Sequence, residues 1–368
     1  MNGQNQPVND KYQFTGIRLD KIFNAYLENV RVKNAVWAGI AVYRFSESFE
    51  ANRLLGTTIN HCVFEKCGLE VGGVTRDHCY GGVYLTNWIK GMRVVNCQAH
   101  ECYNGFILED VTEANIANCF ARKCENAGFA VVYCYHASLV ANRAFACKYG
   151  IEFIGDVRFV KLVANTLIEN TQYGLKLVGK EIAVIGNTAY KNGDAGAYLA
   201  CDEGSVFVGN VMVNNGSDTG TYNANVVLAG NGVLVVGNNL KCDGSVANFD
   251  KVVYGIYELD GKTNKIYYND VSGNPTPIRL SAGEAKHNIG FATENSGVAT
   301  FSGDGSATQF TIPHGLVAEP SVVNVTPLSA DAAGDFYVTK DADNIYVNYL
   351  TAPPSGTDNV VLAWRAEV

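Results

Sequence analysis

The chain has 368 residues, of which 47% are hydrophobic and 17% are charged, with 38 glycines and 8 prolines. This composition supports a large buried core and excludes an intrinsically disordered chain. The net charge is −8, and no cluster of lysines and arginines is interleaved with aromatic residues, which argues against nucleic acid as a partner. No run of 18 apolar residues and no apolar signal-peptide core occurs, so we expect no membrane insertion.

An asparagine recurs every 22 to 24 residues through the middle of the chain. Alternating apolar residues precede each asparagine, and glycine plus an apolar segment follows most of them about nine residues later. A fixed repeat of this length predicts a solenoid, in which each unit buries its apolar face by stacking on its neighbours. The asparagines are Asn96, Asn118, Asn142, Asn165, Asn187 and Asn210.

The segments between the asparagines have the pattern of β-strands. Units such as Gly105-Phe106-Ile107-Leu108 alternate with period two and are rich in β-branched and aromatic residues, whereas a helical solenoid would show a period of 3.6. A coil of such strands closes by stacking on the next coil at a spacing of about 4.8 Å. The sequence therefore predicts an all-β fold, a parallel β-helix with two or three short strands in each coil.

The recurring asparagine itself has a predicted structural role. Asparagine tolerates the left-handed backbone of a sharp corner, and its buried amide can bond to the same amide one coil above and below. We expect each asparagine of the series to do both, and we assign no chemistry to it.

The series extends with wider spacing through Asn29 and Asn60 before Asn96 and through Asn238 and Asn269 after Asn210, and Asn288 follows them. Extra residues in a solenoid must leave it as loops on its flank. The predicted insertions are residues 43–56, 69–81, 217–224 and 243–251.

Eleven cysteines also follow the repeat, and an odd number cannot be fully paired as disulfides within one chain. Cys67, Cys102, Cys124 and Cys147 are predicted to stack inside the solenoid, with Cys97 and Cys119 in a second stack. Single stacked thiols lack the paired spacing of a tetrahedral zinc site and pack as small apolar groups. We expect no metal and no cofactor.

Near Asn295 the repeat ends, and short alternating strands separated by glycine, proline and aspartate follow. The pattern predicts a small antiparallel β-sandwich after the β-helix. The expected domains are residues 1–295 and 296–368. The predicted strands of the second domain are residues 309–312, 321–325, 335–338, 344–349 and 359–364.

Strand register places one set of side chains inside the solenoid and the alternate set outside. The outer set is Ala41, Tyr84, Ile107, Ala130, Glu152, Lys176 and Tyr198, with Glu109 further along its strand, and the loops 43–56 and 69–81 border this face. Carboxylates transfer protons, arginine neutralises a uronate, and aromatic faces stack on sugar rings. The candidate catalytic residues are Glu109, Asp110, Glu152, Asp77 and His78. The candidate substrate-binding residues are Arg76, Tyr84, Trp88, Tyr135, His136 and Asp156.

No single pair of acids stands out. Glu109 and Glu152 are two coils apart and offset along the strand, roughly 11 to 12 Å, which exceeds the separation in an inverting glycosidase. Asp110 with His136 or Asp156 fits equally well. The catalytic pair stays open.

The last 70 or so residues carry a family resemblance in Ile312-Pro313-His314-Gly315-Leu316, Val325-Thr326-Pro327 and the segment from Asn359 to Trp364. They resemble the short β-modules that end phage tail fibre and tailspike proteins. The preceding part is similar to the right-handed parallel β-helix of the pectate-lyase-like superfamily. The resemblance implies a right-handed helix and a homotrimer. Asn2-Gly3-Gln4-Asn5 resembles the tail of a turn common in β-helix proteins, so the chain is expected to continue upstream into a virion attachment domain.

Specific enzyme motifs of that superfamily are missing. The polygalacturonase motifs, the Asp-Pro-His of mannuronan epimerases and the clustered aspartates of pectate lyases do not occur, and Asp77-His78 is a partial match to the epimerase motif. The resemblance therefore implies a virion-associated, tailspike-like protein that binds a host-surface polysaccharide and depolymerises it or leaves it intact. The alternatives are a free polysaccharide lyase, hydrolase or epimerase, and a structural or adhesive spike without chemistry.

Overall fold

The computed structural model describes residues 15–20, 24–43, 56–69, 80–86, 90–216, 220–243 and 253–368. It divides into two compact units, Met1–Glu284 and Ala285–Val368. Within the described residues all regular structure is β-strand. The described part of the chain accordingly contains no helix long and apolar enough to cross a membrane.

The first unit is a solenoid in which most coils contribute one strand to each of three parallel sheets. Neighbouring coils pair in register, so that Phe106 lies beside Phe129 and Phe129 beside Ile151. The predicted all-β parallel β-helix is confirmed.

Sheet A consists of β1 (Ile17–Asp20), β4 (Ala38–Tyr43), β7 (Gly81–Leu85), β10 (Asn104–Glu109), β13 (Ala127–Val132), β16 (Tyr149–Ile154), β19 (Tyr173–Gly179), β22 (Ala195–Cys201), β25 (Ala224–Leu228), β28 (Tyr254–Glu258) and β30 (Thr276–Arg279). Sheet B consists of β2 (Tyr26–Glu28), β5 (Thr58–Asn60), β8 (Arg93–Val95), β11 (Asn115–Ala117), β14 (Ser138–Val140), β17 (Lys161–Val163), β20 (Ala183–Ile185), β23 (Val206–Val208), β26 (Leu234–Val236), β29 (Lys265–Tyr267) and β31 (Glu284–Lys286). Sheet C consists of β3 (Arg31–Lys33), β6 (Val63–Glu65), β9 (Gln98–His100), β12 (Phe120–Arg122), β15 (Arg143–Phe145), β18 (Thr166–Ile168), β21 (Thr188–Tyr190), β24 (Val211–Val213) and β27 (Asn239–Lys241).

The interior of the solenoid contains the predicted inward row of sheet A. Its members are fully buried, and the rings of Phe106 and Phe129 stack at 5.1 Å. Glycine precedes the residues of this row because the interior leaves no room for a side chain there: a Cβ on Gly128 would lie 2.9 Å from the Ala144 Cβ. The row is Ile40, Val83, Phe106, Phe129, Ile151 and Leu175.

Apart from Asn60, which ends β5 before the corner at His61, the asparagine series divides into two structural positions, so the prediction that each asparagine serves both roles is wrong. Asn96 and Asn118 occupy the left-handed corner, with φ of 57° and 54°, and their side chains are exposed. From Asn142 onwards the asparagine is one position later and fully or nearly buried, and another residue takes the corner: alanine or glycine as far as Asn238, then Tyr268 and His287. A side chain at the left-handed position points away from the interior, so one residue cannot fill both places.

The buried asparagines form a continuous amide ladder. Asn165 donates through its backbone N–H and its Nδ2 to the Asn187 Oδ1, both at 2.9 Å, and Asn187 repeats the pattern towards Asn210. A second ladder runs through Asn170, Asn192 and Asn215.

Both ladders are continued by cysteines towards the start of the chain, which confirms the predicted thiol stacks. The Cys119 N–H donates to the Asn142 Oδ1 at 3.0 Å, and the Cys147 N–H donates to the Asn170 Oδ1 at 3.1 Å. The thiols of both rows are free and buried, and Cys62 joins the row of Cys97 and Cys119. Cysteine thus fills interior positions that asparagine fills in later coils.

The predicted insertions coincide with gaps in the described residues. Residues 44–55, 70–79, 217–219 and 244–252, which make up most of them, lie outside the described ranges.

The second unit contains two three-stranded antiparallel sheets with a shared apolar core that includes Phe310, Val347 and Leu362. The sequence reasoning missed its first strand, which begins at Glu294. His314 is buried: its Nδ1 accepts from the Leu316 N–H at 3.0 Å and its Nε2 donates to the Asp341 carbonyl at 3.2 Å, which is a structural role. Sheet D consists of β32 (Glu294–Gly303), β37 (Gly356–Glu367) and β34 (Val322–Pro327), and sheet E of β33 (Gln309–Pro313), β36 (Asn344–Tyr349) and β35 (Phe336–Lys340).

Candidate functional site

The outer face of sheet A carries the predicted outward row in continuous register, from Ala41 through Tyr84 to Tyr198. Sequence reasoning treated this row as exposed, but its first half is buried: Tyr84 is 6% exposed and Ile107 is fully buried. Flanking aromatic residues, among them Trp37, pack over the small side chains of the row and form an apolar cluster on the outside of the sheet.

Tyr84 and Glu109 meet at the downstream end of this cluster. The Tyr84 hydroxyl donates to the Glu109 Oε2, and the edge of the Tyr84 ring contacts Trp37 at 5.2 Å between centroids. Glu109 ends its strand and Asp110 follows in the left-handed region, with φ of 49°. Three predicted site residues, Tyr84, Glu109 and Asp110, are therefore brought to one place.

Glu152 lies on the same face and forms an ion pair with Lys176. Its carboxylate is 5% exposed, accepts from the Lys176 Nζ at 2.9 Å and accepts from the Asn126 Nδ2 at 3.2 Å. Burial lowers the pKa of Lys176, but the pairing with Glu152 outweighs it and leaves the pKa above its ordinary value. Lys176 also lies 4.7 Å from the Tyr149 ring centre. Glu152 thus anchors a lysine against an aromatic ring.

Tyr135, His136 and Asp156 lie beyond the strand ends, in the corner that joins sheet A to sheet B. The Tyr135 hydroxyl donates to Asp156 at 3.0 Å, and the Arg158 guanidinium binds the same carboxylate through two nitrogens at 2.8 and 3.0 Å. Arg158, and then Tyr135, lower the pKa of Asp156, while Asp156 raises the pKa of Tyr135. The charge of Asp110 also raises the pKa of Tyr135, so this group adjoins the one that contains Tyr84 and Glu109.

The remaining candidates, Arg76, Asp77, His78 and Trp88, lie outside the described residues. Among the residues that the structure does describe, no three of histidine, cysteine, aspartate and glutamate are grouped as metal ligands would be. The catalytic and substrate-binding roles given to the candidate residues stay predictions.

The most extensive feature of the face is a row of tyrosines that sequence reasoning missed. It crosses five coils, with successive ring centres 5.5 to 6.1 Å apart. All but the first member are half-buried. The row consists of Tyr149, Tyr173, Tyr198, Tyr222 and Tyr257, and we call it the tyrosine row.

The row rests on small side chains and has polar groups at its margin. Ala195, Ala224 and Val227 form the buried floor between the rings. Burial, followed by a hydrogen bond to Asp194, raises the pKa of Tyr173. At the far end the Arg279 guanidinium lies 4.5 Å from the Tyr257 ring centre.

The first four members of the row are 24 or 25 residues apart in the sequence, although they come from different positions of their coils. Tyr149 and Tyr173 begin their strands, Tyr198 lies inside one, and Tyr222 precedes one. The usable signal is the recurrence of a tyrosine once per coil near the sheet A strand.

Comparison with known proteins supports the assignment of the solenoid fold. A family model for the right-handed β-helix region matches residues 15–184. The solenoid is a right-handed parallel β-helix. No curated protein sequence matches the chain.

Two solved structures illustrate the similarity. The A-module of the mannuronan C-5 epimerase AlgE6 from Azotobacter vinelandii is 14% identical with a TM-score of 0.58, over 74% of this chain and 75% of that one. The periplasmic alginate epimerase AlgG is 13% identical with a TM-score of 0.51, over 74% of this chain and 73% of that one. At this level of identity the similarity shows the fold alone.

Proposed function

We propose that this protein binds a polysaccharide along the outer face of sheet A. The tyrosine row carries the proposal, because a line of half-exposed rings on one sheet face offers the flat apolar surface on which sugar rings stack. With coils about 4.8 Å apart, the row is roughly 20 Å long and accommodates several consecutive sugar residues.

The polar margin of the row suits the same ligand. Sugar hydroxyls need hydrogen-bonding groups beside the stacking surface, and the partly exposed Lys176 and Arg279 provide donors there. Two proteins with a similar fold are named for their action on mannuronan and alginate, and this supports a glycan as the ligand class.

Binding to the row is testable with a panel of neutral and acidic bacterial polysaccharides in affinity electrophoresis. The protein should be retarded by at least one of them, and Tyr198→Ala and Tyr222→Ala should each abolish the retardation. Tyr190→Ala, which alters a half-buried tyrosine on sheet C, serves as the matched control and should bind normally. Retardation that survives both row substitutions would refute the proposal.

A second candidate function is chemical modification of the bound chain. The observation that favours it is the hydrogen bond from Tyr84 to Glu109, with Asp110 adjacent, because a phenol and a carboxylate in contact are suited to proton transfer. New reducing ends or unsaturated uronates should appear with the parent protein and vanish with Tyr84→Phe and Glu109→Gln. Products formed equally by both variants would exclude this site.

We also infer a role as a homotrimeric spike of a phage tail. The support is the resemblance of the segment from Ile312 to Trp364 to the modules that end tailspikes. Size-exclusion chromatography with light scattering should give three times the chain mass of 39.7 kDa. A stable monomer would contradict the spike while leaving polysaccharide binding intact.

A further inference from the structure

The corner that follows β13 displays an aromatic ring on the protein surface. Tyr133 has φ of 46° and is 48% exposed. A Cβ on Gly155, one coil further, would lie only 2.3 Å from the Tyr133 Cε1. The ring therefore lies across the bare backbone of Gly155, where a side chain would displace it, and its opposite side faces solvent.

The fold does not need an aromatic residue at this corner. Backbone hydrogen bonds align Tyr133 with Asp110 in the preceding coil and with Gly155 in the next, and all three are left-handed. The left-handed conformation costs a bulky side chain on the order of 1 kcal/mol. Because aspartate and glycine make the same turn, the fold does not require a tyrosine here, and the ring changes only the protein surface.

A neighbouring corner position also carries aromatic rings on the surface. His136 and Phe159 are aligned with Glu113 and stack on each other at 4.7 Å between ring centres, although the glutamate makes the same left-handed turn. Phe159 is 42% exposed. Two consecutive coils thus present solvent-facing aromatic rings where other coils have polar residues.

A hydrogen-bonded polar group lies next to these rings and consists of Tyr135, Asp156 and Arg158. The ion pair cancels the charges of Asp156 and Arg158, and their side chains remain 43% and 42% exposed. A phenyl face gives the C–H side of a sugar ring a stacking surface, while a carboxylate and a guanidinium bond to its hydroxyls. Asp110, aligned with Tyr133 one coil before, adds a negative charge close enough to contribute, after Asp156, to the raised pKa of Tyr135, so the site suits an uncharged sugar better than an acidic one.

We propose that Tyr133, with Tyr135, Asp156 and Arg158, binds one pyranose ring of a neutral glycan at a site separate from the tyrosine row. The row lies on the outer face of sheet A and this site lies in the corner between sheets A and B. The inference shares only its ligand class, a saccharide, with the proposed function, and either site can exist without the other.

The test uses saturation-transfer NMR with methyl glycosides of glucose, galactose, mannose and glucuronic acid. The starting protein is Tyr198→Ala/Tyr222→Ala, so that signal from the tyrosine row is removed. Tyr133→Asp is then added, because Asp110 makes the same turn and the coil keeps its backbone. Glu113→Gln, on the neighbouring coil, is the matched control, and thermal unfolding verifies that every variant is folded.

We expect saturation transfer to at least one neutral glycoside in the starting protein and in the Glu113→Gln control. Tyr133→Asp should reduce it by about fivefold or more. No transfer to any neutral glycoside, transfer to the glucuronide alone, or transfer unchanged by Tyr133→Asp would each overturn the proposal. Loss of polymer binding by the tyrosine row is scored separately, by affinity electrophoresis of the Tyr198→Ala and Tyr222→Ala single variants.

Discussion

At the scale of single residues, Glu258 is an acid whose carboxylate is fully hydrogen-bonded inside the fold. It is fully buried, and its two carboxylate oxygens accept four N–H groups at 2.9 to 3.0 Å, from Asn264, Ser281 and Gly283. These bonds tie the turns of the last coils together. An acid in this setting is structural, unlike the half-exposed Glu109.

We predict that Glu258→Gln lowers the free energy of unfolding by about 2 to 4 kcal/mol, because the new amide N–H₂ would face two backbone donors. Chemical denaturation of the parent and the variant measures the difference. Glu169→Gln, an exposed glutamate, is the control and should change little. Equal stability of the parent and Glu258→Gln would show that water replaces these bonds.

A pH effect is expected at Glu65. Its carboxylate contacts Lys33 and Arg31, which lower its pKa from 4.5 to about 2. A depressed folded-state pKa stabilises the protein above the ordinary value, and this contribution disappears as the pH falls from about 4.5 to 2. The thermal midpoint of the parent should therefore exceed that of Glu65→Gln at pH 6 and converge with it near pH 2. A gap that widens on acidification would contradict the assignment.

At the scale of the element, sequence alone predicted the coil and its inward row because stacking forces identical positions into register. Phe106, Phe129 and Ile151 follow glycines at regular distances, and period-two alternation assigns their side. The two positions of the asparagines escaped prediction. Asn118 and Asn142 differ by one residue relative to the corner, and only the backbone angles show which of them turns the chain.

The two structural positions of the asparagines predict different losses of stability on substitution by alanine. Asn187→Ala should cost roughly 3 kcal/mol or more, since it leaves the Asn165 donors and the Leu162 carbonyl without buried partners. Asn118→Ala should cost less than about 1 kcal/mol, because Ala141 already turns the corner of the next coil. Denaturant midpoints compare the two. A larger loss from Asn118→Ala would reverse our assignment of the positions.

At the scale of the whole molecule, the repeat specified the fold but not the binding surface. A solenoid repeats its backbone, so length and spacing suffice to recognise it. The rings of Tyr173, Tyr198 and Tyr222 follow one another across coils. Their spacing of 24 or 25 residues is visible in the sequence, but only the register of the strands shows that the rings line up on one face. The predicted register already placed Glu152 beside Lys176, but the burial of Glu152 in this ion pair is visible only in the folded coils.

The central claim is that sugar residues occupy the tyrosine row in succession. The most direct measurement is isothermal titration calorimetry with oligosaccharides of increasing length, cut from a polysaccharide that retards the protein. Affinity should rise with each added unit until the ligand spans the roughly 20 Å of the row and then level off. Tyr222→Ala should weaken the long ligands by about tenfold and the shortest ones less. Affinity independent of length, or unchanged in Tyr222→Ala, would contradict the account.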